Sequence, residues 1–223
     1  TMTFTKQLEN HVTSKIFERL APLGFKKTRD CDVLVKRQRI KGVEERLIMP
    51  VAHYRNKGIS LACGPTIFHN EISLALEKLA EGLDYYTPKP GKPSGTTFGA
   101  SLEELMEPPI PQQMWEICTM EEAEECANQL IIQIELLAIP WLEKNANLPD
   151  AYDTLVKIIK TDRFPKYSAM LWFKAYLMAK KLGVPLDQEV MKLIMKLAES
   201  EEHGCRVAHK IVEQENQKVS SQR

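Results

Sequence analysis

Apolar positions in the first twenty residues recur at helical spacing. Leu8, Val12, Ile16 and Leu20 stand four apart, and Phe17 widens the stripe. The pattern predicts an amphipathic helix within "TKQLENHVTSKIFERLAPLGF", ended by Pro22 and Gly24. The period then drops to two. "DVLVKRQRI" alternates at Val33 and Val35, "ERLIMPVAHYR" is rich in β-forming residues, and "GISLACG" is short and apolar. Gly42 and "RNKG" punctuate these segments as hairpin turns would, so an antiparallel meander is expected, with an edge or bulge at Pro50. Helical period returns in "NEISLALEKLAEGL", where Ile72, Leu76 and Leu79 share a side and Asn70 is the expected N-cap.

The regularity stops at 83–113. Six of the thirteen prolines lie between Pro88 and Pro111, together with Gly91, Gly95 and Gly99. A connection of this length inside a domain is usually functional or poorly ordered. Within it, "TTFGASLEEL" suits a further strand or a short helical turn. Met114 to Cys118 then reads as a strand, and Thr119 with Glu122 forms a capping-box signature. Ala123, Ala127, Leu130, Ile131, Ile134 and Leu137 trace one face of the helix that follows, which Pro140 should stop or kink. Beyond Asn147, "DAYDTLVKIIKTD", "YSAMLWFKAYLMAKKLG", "DQEVMKLIMKLAES" and "EEHGCRVAHKIVEQEN" are all helical, with short connections.

These elements predict an α+β fold: an antiparallel sheet with flanking helices, followed by a C-terminal helical section. The expected division is an α+β domain over 1–147 carrying the Pro/Gly-rich loop at 83–113, a helical section over 148–217 packed on it, and a polar tail at 218–223.

Composition adds limits. At 223 residues, 27% charged and 43% hydrophobic, the chain has the make-up of an ordinary globular protein. No apolar run approaches the ~20 residues that span a bilayer, and no membrane partner is expected. The N-terminus lacks a secretory pattern, and Thr1 ahead of Met2 reads as an added residue. Cys31, Cys63, Cys118, Cys126 and Cys205 are odd in number and contain no Cys-x-x-Cys pair. That usage suits free thiols in a reducing compartment, so a cytoplasmic protein is expected.

Charge is balanced overall but uneven along the chain. Residues 26–57 hold ten basic and four acidic side chains, whereas residues 101–150 hold eleven acidic ones against Lys144 alone. The basic stretch lacks the interleaved aromatics of a nucleic-acid binder, so nucleic acid is not the expected partner. Two readings remain: internal pairing of the two stretches, or an acidic surface that recruits a basic partner.

The motifs with chemical potential fall short of a site. Gly91-Lys92 is followed by Pro93 rather than Ser or Thr, and Tyr86 stands where a phosphate loop needs its first glycine. Cys63, His69 and Glu71 lie within nine residues, but Cys63 reads as a strand residue and His69 as a helix entrance. Cys205 and His209 stand four apart on a helix beside His203, a spacing that suits two metal ligands, yet no third or fourth is marked. Cys118 and Cys126 read as buried small apolar groups. No catalytic residue, metal or cofactor is expected. The candidates for binding are Tyr85 and Tyr86 at the mouth of the loop, Trp115 before the acidic helix, and Glu121, Glu122, Glu124 and Glu125 within it.

Three short stretches, Leu23-Gly24-Phe25-Lys26-Lys27, Trp115 and Ala138-Ile139-Pro140-Trp141-Leu142, carry a resemblance. Over about residues 4–145 the chain is similar to a family of bacterial domains of unknown function. In that family a leading helix ends in a Gly-Phe-Lys-like turn and a later helix ends near a Pro-aromatic pair. The long Pro/Gly insertion departs from the pattern. The resemblance implies an immunity role, in which a cytoplasmic protein neutralises a toxin by direct contact, and the acidic helix at Glu121–Glu125 suits a toxin with a basic surface. The alternatives are a hydrolase or nucleotide-using enzyme built around the loop, and a helical scaffold acting through residues 150–217.

Overall fold

The computed structural model describes residues 3–28, 33–54, 57–83, 97–111, 113–161 and 168–221. In chain order the elements are α1 (Phe4–Leu20), β1 (Lys26–Lys27), β2 (Val33–Ile40), β3 (Val43–Ile48), β4 (Val51–Tyr54), β5 (Gly58–Leu61), β6 (Gly64–His69), α2 (Asn70–Ala80), β7 (Phe98–Gly99) and β8 (Trp115–Ile117). Then follow α3 (Met120–Gln133), a π-helical turn (Ile134–Ala138), α4 (Ile139–Asn145), α5 (Leu148–Lys160), α6 (Ser168–Leu182), α7 (Gln188–Ala198) and α8 (Cys205–Ser221). The fold is α+β, with antiparallel sheet, flanking helices and a helical C-terminal region.

Two compact units make up the chain. One comprises 1–68 with 99–146, the other 69–98 with 147–223. In the first unit, α1 forms because its apolar stripe is continuous: Leu8, Val12, Ile16 and Leu20 are all buried. Thr3 caps it by accepting a hydrogen bond from the Lys6 N–H. A 3-10 turn at Ala21–Leu23 ends on Gly24, whose φ of 85° a residue with a side chain rarely adopts.

The expected single meander is instead two sheets. β2 and β3 pair antiparallel, with Val35 opposite Leu47 and Arg37 opposite Glu45, inside a five-stranded sheet of order β1-β2-β3-β6-β7. After Ile48 the chain leaves that pairing. β4 pairs with β5 and β5 with β8, giving a second sheet of three strands. Pro50 lies at the crossing, where a residue without an N–H cannot carry a ladder onward. Gly58 lets β8 close on β5, because a Cβ there would collide with the carbonyl oxygen of Ile117.

The segment "TTFGASLEEL" supplies both expected forms, strand β7 and a 3-10 turn at Glu103–Leu105. Asn70 is not the cap of α2. The helix begins there, and the capping position falls on His69, the last residue of β6, whose N–H donates to Thr97 Oγ1 at 2.7 Å. Strand runs directly into helix, leaving no separate residue to cap.

In the second unit, α5 packs on α6, α6 on α7, α7 on α8, and α2 against α6 and α8. Phe173, Tyr176, Leu155, Ile194, Val207 and Ile211 are buried in its interior. The Tyr176 hydroxyl reaches Gln214 Oε1 at 3.1 Å, and the Lys210 ammonium donates to the Leu79 carbonyl at 2.9 Å. Burial lowers the Lys174 ammonium to about 8. α8 runs to Ser221, into the stretch expected as a polar tail. Among the described residues no helix is long and apolar enough to cross a membrane.

Candidate functional site

The helix α3 and its continuation hold most of the predicted binding residues, and its construction decides which of them are available. Thr119 caps it: Thr119 Oγ1 accepts from the Glu122 N–H at 3.1 Å. Glu122 Oε2 in turn accepts from the N–H groups of Thr119 at 3.0 Å and Cys118 at 2.6 Å. The capping box expected from the sequence is therefore complete, and Glu122 belongs to it.

The inner face comprises Ala123, Cys126, Ala127, Leu130, Ile134, Ala138 and Leu142, all buried. Its first three residues are small, which suits the packing of α1 against α3. Ile131 and Leu137, assigned to this face from the sequence, are only half-buried. The π turn explains the slip at Leu137, whereas Ile131 precedes it and lies at the edge of the face by ordinary helical rotation. The π turn inserts a wider turn at Ile134–Ala138 and shifts the seam to Ala138 and Leu142. Pro140 lies in the first turn of α4, where its missing N–H is tolerated, so the helix continues to Asn145.

Ion pairs to α1 flank this seam. The Lys15 ammonium hydrogen-bonds one Glu124 oxygen, and His11 Nε2 lies 2.8 Å from the other. Those partners, Lys15 foremost and then His11, hold the Glu124 carboxyl down at about 2. Further along, Arg19 Nε donates to Glu135.

The outer face differs in kind. Glu121, Glu125, Ile132, Leu136 and Pro140 are exposed, with Leu136 at 69% and Ile132 at 54%. At the helical rotation per residue, Glu121, Glu125 and Ile132 fall within about 40° of one another, and Leu136 stands about one turn beyond Ile132, so they form one row. Neither Glu121 nor Glu125 makes an ion pair or side-chain hydrogen bond among the described residues. The four glutamates thus separate into two that hold the fold and two that face solvent. Ile132 and Leu136 were not singled out in the sequence. Their signal there is phase: two aliphatics stand four apart on the side of the helix opposite its apolar stripe.

Trp115 is half-buried on β8, opposite Leu61 and on the same face as the buried Ile117. Tyr85 and Tyr86 lie outside the described residues, as does the Gly91-Lys92 stretch. Cys63 and Cys126 are buried, and burial pushes both thiols up to about 12. At neutral pH Cys63 is a thiol, not a nucleophilic thiolate. Cys118 corrects the sequence reading, because it is exposed. Strand alternation turns Ile117 inward and leaves Cys118 outward. His69 is buried, His203 and His209 are exposed, and Cys205 is half-buried. Among the described residues no three His, Cys, Asp or Glu side chains come together as metal ligands would.

Arg37 has a role that no spacing in the sequence marks. Its side chain is 6% exposed, and its guanidinium lies 4.5 Å from the centre of the Phe25 ring. Nε donates to Glu45 at 2.6 Å, one terminal nitrogen to the Leu23 carbonyl at 3.2 Å, and the other to Glu143 at 3.1 Å. Arg39 takes the second Glu45 oxygen at 2.7 Å. Part of the basic stretch is therefore neutralised by the acidic one within the same unit, in line with the first of the two charge readings.

Comparison with family models, with curated proteins and with solved structures gives no match.

Proposed function

We propose that the protein is a non-catalytic binding protein that meets a basic protein partner through the acidic beginning of α3. One observation carries this reading. Glu121 and Glu125 stand exposed and unpaired among the described residues, while Glu124, Glu135 and Glu143 are tied to cations of their own unit. Carboxylates left free at one end of a helix attract a cationic surface over distance and fix its orientation on contact. In the form the resemblance implies, the partner is a toxin, and the free carboxylates of α3 suit a contact that covers a basic surface such as a nuclease cleft. The four described cysteines are free thiols, which supports action in the reducing cytoplasm.

The test follows from the division of the glutamates. Reversing Glu122 or Glu124 would break the cap or the contact with α1, so only Glu121→Lys with Glu125→Lys isolates binding from folding. Wild type and this double variant serve as baits in the native host, in low and high salt. A partner retained by the wild type, lost in the variant and released by salt supports the reading. Equal retention by both baits contradicts it.

A further inference from the structure

The docking surface does not end with the acids. We infer that Glu121, Glu125, Ile132, Leu136 and Pro140 form one continuous contact row, and that its occupant is an amphipathic helical segment of the partner. This rests on the reading of α3 as a protein-binding element. Basic residues of that segment lie over Glu121 and Glu125, and its aliphatic residues cover Ile132 and Leu136.

The row is not a by-product of helix formation. The inner face already supplies a full apolar seam from Ala123 to Leu142, so folding does not call for aliphatic residues on the opposite side. Isolated exposed aliphatics are ordinary. Here two stand one helical turn apart, in line with two free carboxylates, and Pro140 extends them. From Glu121 to Leu136 the row covers about 22 Å, the length of a helix of roughly 15 residues. That is the scale on which a partner helix presents its own apolar and basic positions.

Charge order selects the occupant. From Glu121 to Pro140 the unpaired charge is all negative and all at the beginning, and the exposed Lys144 stands one turn beyond Pro140. A second copy of this chain would fit poorly. In parallel register carboxylates would face carboxylates, and in antiparallel register two carboxylates would share the single Lys144 and otherwise face Ile132, Leu136 and Pro140. A segment with cations at one end and aliphatics at the other satisfies both halves.

The probe is a synthetic helical peptide of about 18 residues, with lysines in one half and a leucine face in the other, beside a shuffled peptide of equal composition. Binding to the full chain is read by fluorescence anisotropy for wild type, Glu121→Lys/Glu125→Lys and Ile132→Gln/Leu136→Gln, with circular dichroism confirming each fold. The expected result is a loss of affinity of about tenfold or more in each double variant, and a similar preference for the ordered peptide. Loss in the charge variant alone overturns the apolar half of the row and leaves the acidic reading standing. Loss in the apolar variant alone contradicts the basic partner. Binding unchanged in both, or no binding to wild type, overturns the inference altogether. Sedimentation that shows a dimer abolished by Ile132→Gln/Leu136→Gln assigns the row to a second copy, which also overturns it.

Discussion

The two faces of α3 are built from the same helix by opposite rules. Towards α1 the residues are small or aliphatic and buried, closed at one end by the Thr119–Glu122 box and flanked by Lys15–Glu124 and Arg19–Glu135. Towards solvent stand two unpaired carboxylates and two aliphatics. The inner face accounts for why the helix exists and where it lies. Nothing in that account needs the outer residues, and this is what makes them informative about function.

The contrast can be broken most sharply by thiol chemistry. Cys118, just before α3, is exposed, whereas Cys126 on the inner face is held as a thiol by burial that raises it to about 12. At pH 8, iodoacetamide should label Cys118 on the order of a thousand times faster than Cys126, as read by peptide mass spectrometry. Comparable rates would mean that the seam opens readily. Next in size, Leu130→Ala should destabilise the protein by about 3 kcal/mol in urea unfolding, since it removes a fully buried side chain. Thr119→Ala should cost about 1 kcal/mol in the same assay, through loss of the cap. Ile132→Gln and Leu136→Gln should each stay within about 0.5 kcal/mol of wild type. A larger loss would place them in the fold rather than in a contact row.

The pH dependence sharpens the same division. Glu124 has a carboxyl held down at about 2 by Lys15 and His11, so its contribution to stability is present above the ordinary carboxylate range. That contribution fades as pH falls from about 4.5 towards 2, because the unfolded chain takes up the proton first. Glu124→Gln should flatten this part of the stability profile, whereas Glu121→Gln should leave it unchanged. The partial exposure of Glu124 makes this the smallest of the expected effects.

What could be read from the sequence was local. The stripe of α1, the Thr119–Glu122 box and the α+β order follow from spacing and capping chemistry, which neighbours within a few residues determine. What could not be read depends on distant partners. Arg37 binds Glu143 across 106 positions, and no periodicity announces that a strand arginine will stack on Phe25. The π turn was equally hidden, and it moved Leu137 off the seam to which helical counting assigns it. The acidic cluster shows both sides of this. Its presence was plain in the sequence, and so was the capping role of Glu122. Setting Glu124 apart from Glu121 and Glu125 required Lys15 and His11, more than a hundred residues away.

The central claim is that the outer row binds while the inner face folds. One titration tests it most directly: the ordered lysine–leucine peptide against the chain carrying Glu121→Lys, Glu125→Lys, Ile132→Gln and Leu136→Gln together, with urea unfolding of the same sample. The account predicts an unfolding free energy within about 1 kcal/mol of wild type, and binding that is lost. Undiminished binding, or a variant that no longer folds, would contradict it.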